Sequence, residues 1–193
     1  MSNPWDRPPF PDVGDDDQDV TYAAVGRFTS EWEMLESELS HLFAHFIGKY
    51  ATNEAYDEYY DRSKTGSARL RTLEIAAENY FRANPNQNNE GDFSELVRKV
   101  SGFSDRRHEI AHGIRRPYHY LRNTMFAVNR ERVSLFQHCI APPHYQRNWL
   151  DQEKRWPVYT YTSVEINGLF DGLRALTHEL IFFKHRLFPP GKR

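Results

Sequence analysis

Apolar residues recur at Phe28, Trp32, Leu35, Leu39, Leu42 and Phe46, stepping by four, three, four, three and four. That period lines one face of an α-helix and predicts a helix from about Val20 to Tyr50. Along its flank, Thr29, Glu36, Phe43 and Tyr50 repeat at seven-residue intervals. Glu36 is thus a carboxylate at the edge of a buried face, either reaching water or facing a buried cation. A second helix is expected over Ser67 to Ala83, with Leu70, Leu73, Ala77, Tyr80 and Phe81 inward. The run from Asn84 to Gly91 has turn chemistry throughout and ends it. Asp92 with Glu95 reads as a capping box. It opens a third helix from about Phe93 to His112, which Gly113 is placed to stop.

Beyond Gly113 the helical period is lost. Met125–Val128 and Val133–Phe136 flank a polar turn and predict a β-hairpin, with Pro157 to Tyr161 as a third strand and Pro142 to Trp156 as irregular loop. Thr162 and Glu165 form a second capping box. The helix it starts carries Ile166, Leu169, Phe170, Leu173, Thr177, Leu180 and Phe183 on its inner stripe, and Pro189-Pro190 closes the chain's structured part. The expected architecture is mainly α: a bundle of four main helices with a small β insertion at about 114–161. Residues 1–18, acidic and rich in proline, read as a disordered or loosely attached arm, leaving 19–193 as one domain.

Composition narrows the class. A chain of 193 residues can bury a substantial core. Aromatic residues make up 15% and mean hydropathy is −0.79, which suits aromatic-rich packing in water. No apolar run approaches the roughly 18 residues that span a bilayer. The N-terminus lacks the basic-then-apolar pattern of a secretory signal. The lone cysteine, Cys139, excludes an internal disulfide and a cysteine-based zinc cage. The expected compartment is the cytoplasm. Charge is divided unevenly: residues 1–60 hold 3 Lys/Arg against 13 Asp/Glu, whereas 61–193 hold 22 against 14. The basic excess is densest from Arg98 to Arg132. It would attract a polyanion such as RNA, or else form a solvated face matched to the acidic N-terminal region.

The segment Asp105-Arg106-Arg107-His108-Glu109-Ile110-Ala111-His112-Gly113 carries the chemistry. At about 100° per residue with Val100 as origin, Phe93, Leu96, Val97, Phe103, Ile110 and Ala111 form one apolar stripe, and Arg107 lies about 20° from its centre. A guanidinium there is costly unless paired or opened to a polar pocket, and Glu36 is the partner to expect. His108 and His112 fall on the flank, with Glu109 opposite. His108-Glu109-x-x-His112 also spells a zinc-binding string in which Glu109 would be the general base. That reading leaves Arg107 unexplained, and no Gly-x-x-His continuation supplies a third ligand.

Arg107 and His112, with four residues between them in a helix that ends at Gly113, resemble the R-x4-H motif of the HEPN superfamily. A polar residue, His108, follows the arginine at once. The long first helix with Trp32-x-x-Leu35-Glu36 and the final helix after an insertion fit the same pattern. The resemblance covers roughly 20–113 and 162–187 and omits 114–161. It implies a helical domain that dimerises, pairing two motifs in one cleft, and in active members cuts RNA without metal or other cofactor. The roles follow residue by residue: His112 for proton transfer and Arg107 for phosphate charge. His108, Glu36 and Arg106 would support them. Arg115 and Arg116 would grip the RNA backbone, and Tyr118 would stack on bases or simply pack. Such a protein would serve as a toxin held by an antitoxin, or in defence. The alternatives are a non-catalytic HEPN-like dimer for interaction or nucleotide binding, and the zinc hydrolase.

Overall fold

In the computed structural model, residues 3–50, 52–61, 65–118, 137–143 and 157–189 are described. Among them the chain forms five helices and one two-stranded antiparallel sheet that precedes the last helix. The helices are α1 (Gln18–Phe46), α2 (Asn53–Asp61), α3 (Gly66–Ala83), α4 (Gln87–His112) and α5 (Ser163–Leu187). The strands are β1 (Ile114–Pro117) and β2 (His138–Ala141). No described helix is long and apolar enough to cross a membrane. The hairpin expected at Met125–Val128 and Val133–Phe136 lies outside the described residues, as does most of the 142–156 loop.

The stripe of α1 is buried along its whole length, from Phe28 to Phe46. The helix stops earlier than its periodicity suggests. Gly48 adopts φ 68°, Lys49 N–H donates to the Ala44 carbonyl at 3.0 Å and Gly48 N–H to His45 at 3.1 Å. This is the Schellman arrangement, which satisfies the last carbonyls and turns the chain away. Tyr50 is therefore exposed rather than part of the flank.

The chain folds as two compact units. One comprises Glu31–Ser104 and Leu173–Arg193. Its core is aromatic: Phe46 meets Phe81 and Phe93 edge-on, and Phe93 packs near Phe183. α2, which the sequence pattern did not reveal, sits here. Thr52 caps it, accepting from Ala55 N–H, while Ala55 and Tyr59 are its buried positions. α3 starts on Thr65, whose hydroxyl accepts from Ala68 N–H at 3.3 Å. α4 starts earlier than expected, at an Asn86 side chain that accepts from Asn89 N–H at 3.1 Å. The capping box assigned to Asp92 and Glu95 does not form. Asp92 instead pairs with Arg186 and Glu95 with Arg98, because both stand well inside a helix already running.

The other unit comprises Met1–Ser30 and Asp105–Gly172. Here β1 and β2 pair with Arg115 opposite Ile140 and Arg116 opposite Cys139. The strand expected at 157–161 is reduced to isolated bridges, Tyr161 exchanging backbone bonds with Ile140 at 2.7 and 2.9 Å. The N-terminal arm is not loose. Asp15 bridges His138 through two backbone bonds of 2.8 and 2.7 Å. The Asp15 carboxylate accepts from the Thr21 hydroxyl (2.6 Å) and from Ser163 N–H (2.8 Å) and hydroxyl (2.6 Å). It thereby caps the start of α5, beside a Thr162–Glu165 capping box that does form. Phe10 packs on Tyr118, Cys139 and Ala141. Specific polar contacts and the single apolar anchor Phe10, not apolar periodicity, hold the arm, so its composition gave no sign of order.

Candidate functional site

The motif lies in the last turns of α4. Phe93, Leu96, Val100, Phe103 and Ile110 are buried as the stripe requires, whereas Val97 is half-buried and Ala111, expected on the same stripe, is exposed in the last turn. Arg107 takes the next position on that stripe. It is half-buried, and its Nε is enclosed. His108 and His112 are exposed, one turn apart, with ring centres 4.6 Å from each other and planes tilted by 52°. The helix thus turns a guanidinium toward its covered side and sets two imidazoles in water.

Gly113 fixes where this arrangement ends. A Cβ at that position would lie 2.2 Å from Ile140 Cγ2 and 2.8 Å from the Glu109 carbonyl oxygen. Only a residue without a side chain lets β2 approach the helix terminus so closely. Arg115 follows within β1, its guanidinium 3.4 Å from His138 Nδ1. Arg116 is half-buried, and its carbonyl accepts the Cys139 thiol at 3.6 Å. Burial, reinforced by the charge of Asp15, raises that thiol to about 12.

Glu109 departs most from expectation. The helical wheel sets it opposite the apolar stripe, yet it is buried. Its carboxylate accepts hydrogen bonds from the Tyr161 hydroxyl and from Arg7, and lies 3.4 Å from Arg106. The N-terminal arm and the 157–161 segment cover this second face. Burial, then the nearby Glu109 charge, raises the Tyr161 phenol above the ordinary tyrosine range. Burial opposes the charge on Arg7, but the hydrogen bond and charge of Glu109 more than offset that effect.

Three expected roles change accordingly. Arg106, expected to support phosphate binding, has a side chain only 11% exposed and serves Glu109. Tyr118, a candidate stacking platform, is 1% exposed and donates its hydroxyl to the Pro11 carbonyl. Glu36 does face a cation, but that cation is the half-buried Arg69. Both guanidinium contacts measure 3.1 Å, and Tyr59 donates to the same carboxylate at 3.4 Å. The carboxylate nominated for Arg107 is therefore already held in a bidentate pair.

His108 and His112 are brought together at the helix end; Arg107 lies on the covered stripe of the same helix end, and Arg115 follows in β1. A general base at Glu109 would need a carboxylate free to meet water, and this one is engaged on three sides. A cavity of about 320 Å³ lies elsewhere, lined by Tyr80, Asn84, Asn86, Asn89 and Arg186 among others. It includes none of the motif residues. No family model, curated protein or solved structure matches the chain.

Proposed function

We propose that this chain is a HEPN-like, metal-independent endoribonuclease in which His112 and Arg107 carry the reaction. The observation that supports this most is the split character of the helix end. Arg107, always charged, stands on the covered stripe, while His112 is exposed at the terminus. In the reaction, His112 takes the proton of a ribose 2′-hydroxyl and the 2′-oxygen attacks phosphorus. The 5′-oxygen leaves with a proton from solvent, giving a 2′,3′-cyclic phosphate and a 5′-hydroxyl. Arg107 offers a planar pair of donors to non-bridging oxygens as their charge grows. Arg115, one strand residue past Ile114, adds a positive charge for the RNA backbone. His108 flanks His112 and orients phosphate. A second copy would bring a second motif to the cleft, and an antitoxin would be the natural restraint on such an activity.

The test is cleavage of a mixed-sequence RNA by purified protein in excess EDTA. Cleavage by the wild type and none by folded His112→Ala is the expected outcome. Intact RNA over a wide protein range refutes the reading, as does full cleavage by His112→Ala.

A further inference from the structure

The exposed pair His108 and His112 has a second capability that does not depend on RNA. Residues four apart on a helix have Cβ atoms about 5–6 Å apart on one face. Their ring centres here are 4.6 Å apart. A metal–imidazole bond is about 2.0–2.1 Å, and the ring centre lies about 1.2 Å behind the ligating nitrogen. Two rings sharing one ion at angles of about 90–110° would then have centres roughly 4.5–5.4 Å apart. The observed spacing falls at the right-angle end of that window before any ion is added, and a small rotation of the exposed rings reaches the rest.

We propose that His108 and His112 form an open, two-imidazole chelate for a divalent transition ion of the zinc, nickel and copper class. These ions prefer imidazole nitrogen to the oxygen donors that magnesium and calcium require. The chelate is bidentate on this chain: among the described residues no group of three or more His, Cys, Asp or Glu side chains is placed to hold one ion. The carboxylate between the two histidines, Glu109, points into its own network with Tyr161 and Arg7. The bound ion thus keeps open positions for water or an anion. It also acquires no protein base, which separates this site from a hydrolytic zinc centre. A consequence that rests on the ribonuclease reading is inhibition. A metal on His112 occupies the lone pair that would accept the ribose proton, so the ion blocks cleavage rather than assisting it.

The test is calorimetric titration of Ni²⁺ alone into the metal-free full chain at pH 7.5. One equivalent is expected to bind. His108→Gln and His112→Gln should each weaken it by at least about tenfold, since even outer-shell partners of metal ligands are worth roughly 10–100-fold. His185→Gln, a change at another exposed histidine, should leave it unaltered. Both test positions are exposed, so circular dichroism should show intact folding. Absence of binding, or binding indifferent to both substitutions, overturns the proposal. The two readings fail separately: a protein that binds nickel but leaves RNA intact keeps the chelate and loses the nuclease, and the reverse result does the opposite.

Discussion

Replacing Glu109 should destabilise the fold without touching the chemistry, and the hierarchy of costs can be worked from its partners. Its side chain is 11% exposed, that of Arg106 is 11% exposed and that of Arg7 is 43% exposed. Glu109→Ala leaves the Arg106 guanidinium buried without its counter-charge. Stranding a buried ion in this way costs about 3–5 kcal/mol. Tyr161→Phe removes one hydrogen bond to a charged acceptor, worth about 1.5–3 kcal/mol, and leaves the ions paired. Arg7→Ala removes an interaction largely screened by solvent and should cost less than about 1 kcal/mol. Urea unfolding followed by circular dichroism would measure all three, with an unchanged slope as the check that the same transition is being compared. Glu109→Gln guards against an alanine variant that does not fold. It keeps an oxygen for Tyr161, should cost less than alanine, and should cut RNA as well per folded molecule as the wild type. A Glu109→Ala cost within about 0.5 kcal/mol of zero, the range of ordinary surface changes, would refute the buried hub. So would an Arg7→Ala cost equal to it. Loss of cleavage by folded Glu109→Gln would restore the zinc reading.

Gly113→Ala should cost about 1–3 kcal/mol, the usual range for overpacking, because its Cβ meets both Ile140 and backbone; an unaltered urea midpoint would contradict the close approach. Cys139, fully buried and raised to about 12, should resist iodoacetamide at pH 8.5 in the native protein and react once denatured, as read by mass spectrometry. Equal labelling in both states would refute this. For Tyr161 the folded phenol holds its proton above the unfolded value near 10, so its stabilising contribution is complete below about pH 10 and declines as pH rises further. Wild type should therefore lose more stability than Tyr161→Phe between pH 9.5 and 11, and parallel losses would contradict the assignment.

The long helices were legible because each carries a repeated apolar stripe, and the stripe of α4 correctly turned Arg107 toward the covered side. Their ends were less legible. Asn86 and Asp92 are both good caps, and the apolar repeat begins only at Phe93, so the solvated first turns of α4 left no periodic trace. α2 was missed for a similar reason: nine residues with only Ala55 and Tyr59 buried show no repeat to count. The place of Glu36 on α1 leaves water and a cation both open, and that it meets Arg69 depends on how α2 and α3 fold back. Glu109 departs from its wheel position, and of the two readings of Tyr118 the packing one holds. Both are covered by the N-terminal arm, through Arg7 and Pro11, and an arm held by individual polar contacts has no pattern that a helical wheel can register.

The proposed nuclease turns on His112 activating a ribose hydroxyl rather than a water molecule. An otherwise all-deoxy oligonucleotide with one internal ribonucleotide, incubated in EDTA and resolved by mass spectrometry, distinguishes the two. A single cut after the ribonucleotide is expected, with a 2′,3′-cyclic phosphate on one fragment and a 5′-hydroxyl on the other. Cutting at deoxy positions, or fragments ending in 3′-hydroxyl and 5′-phosphate, would rule out that chemistry.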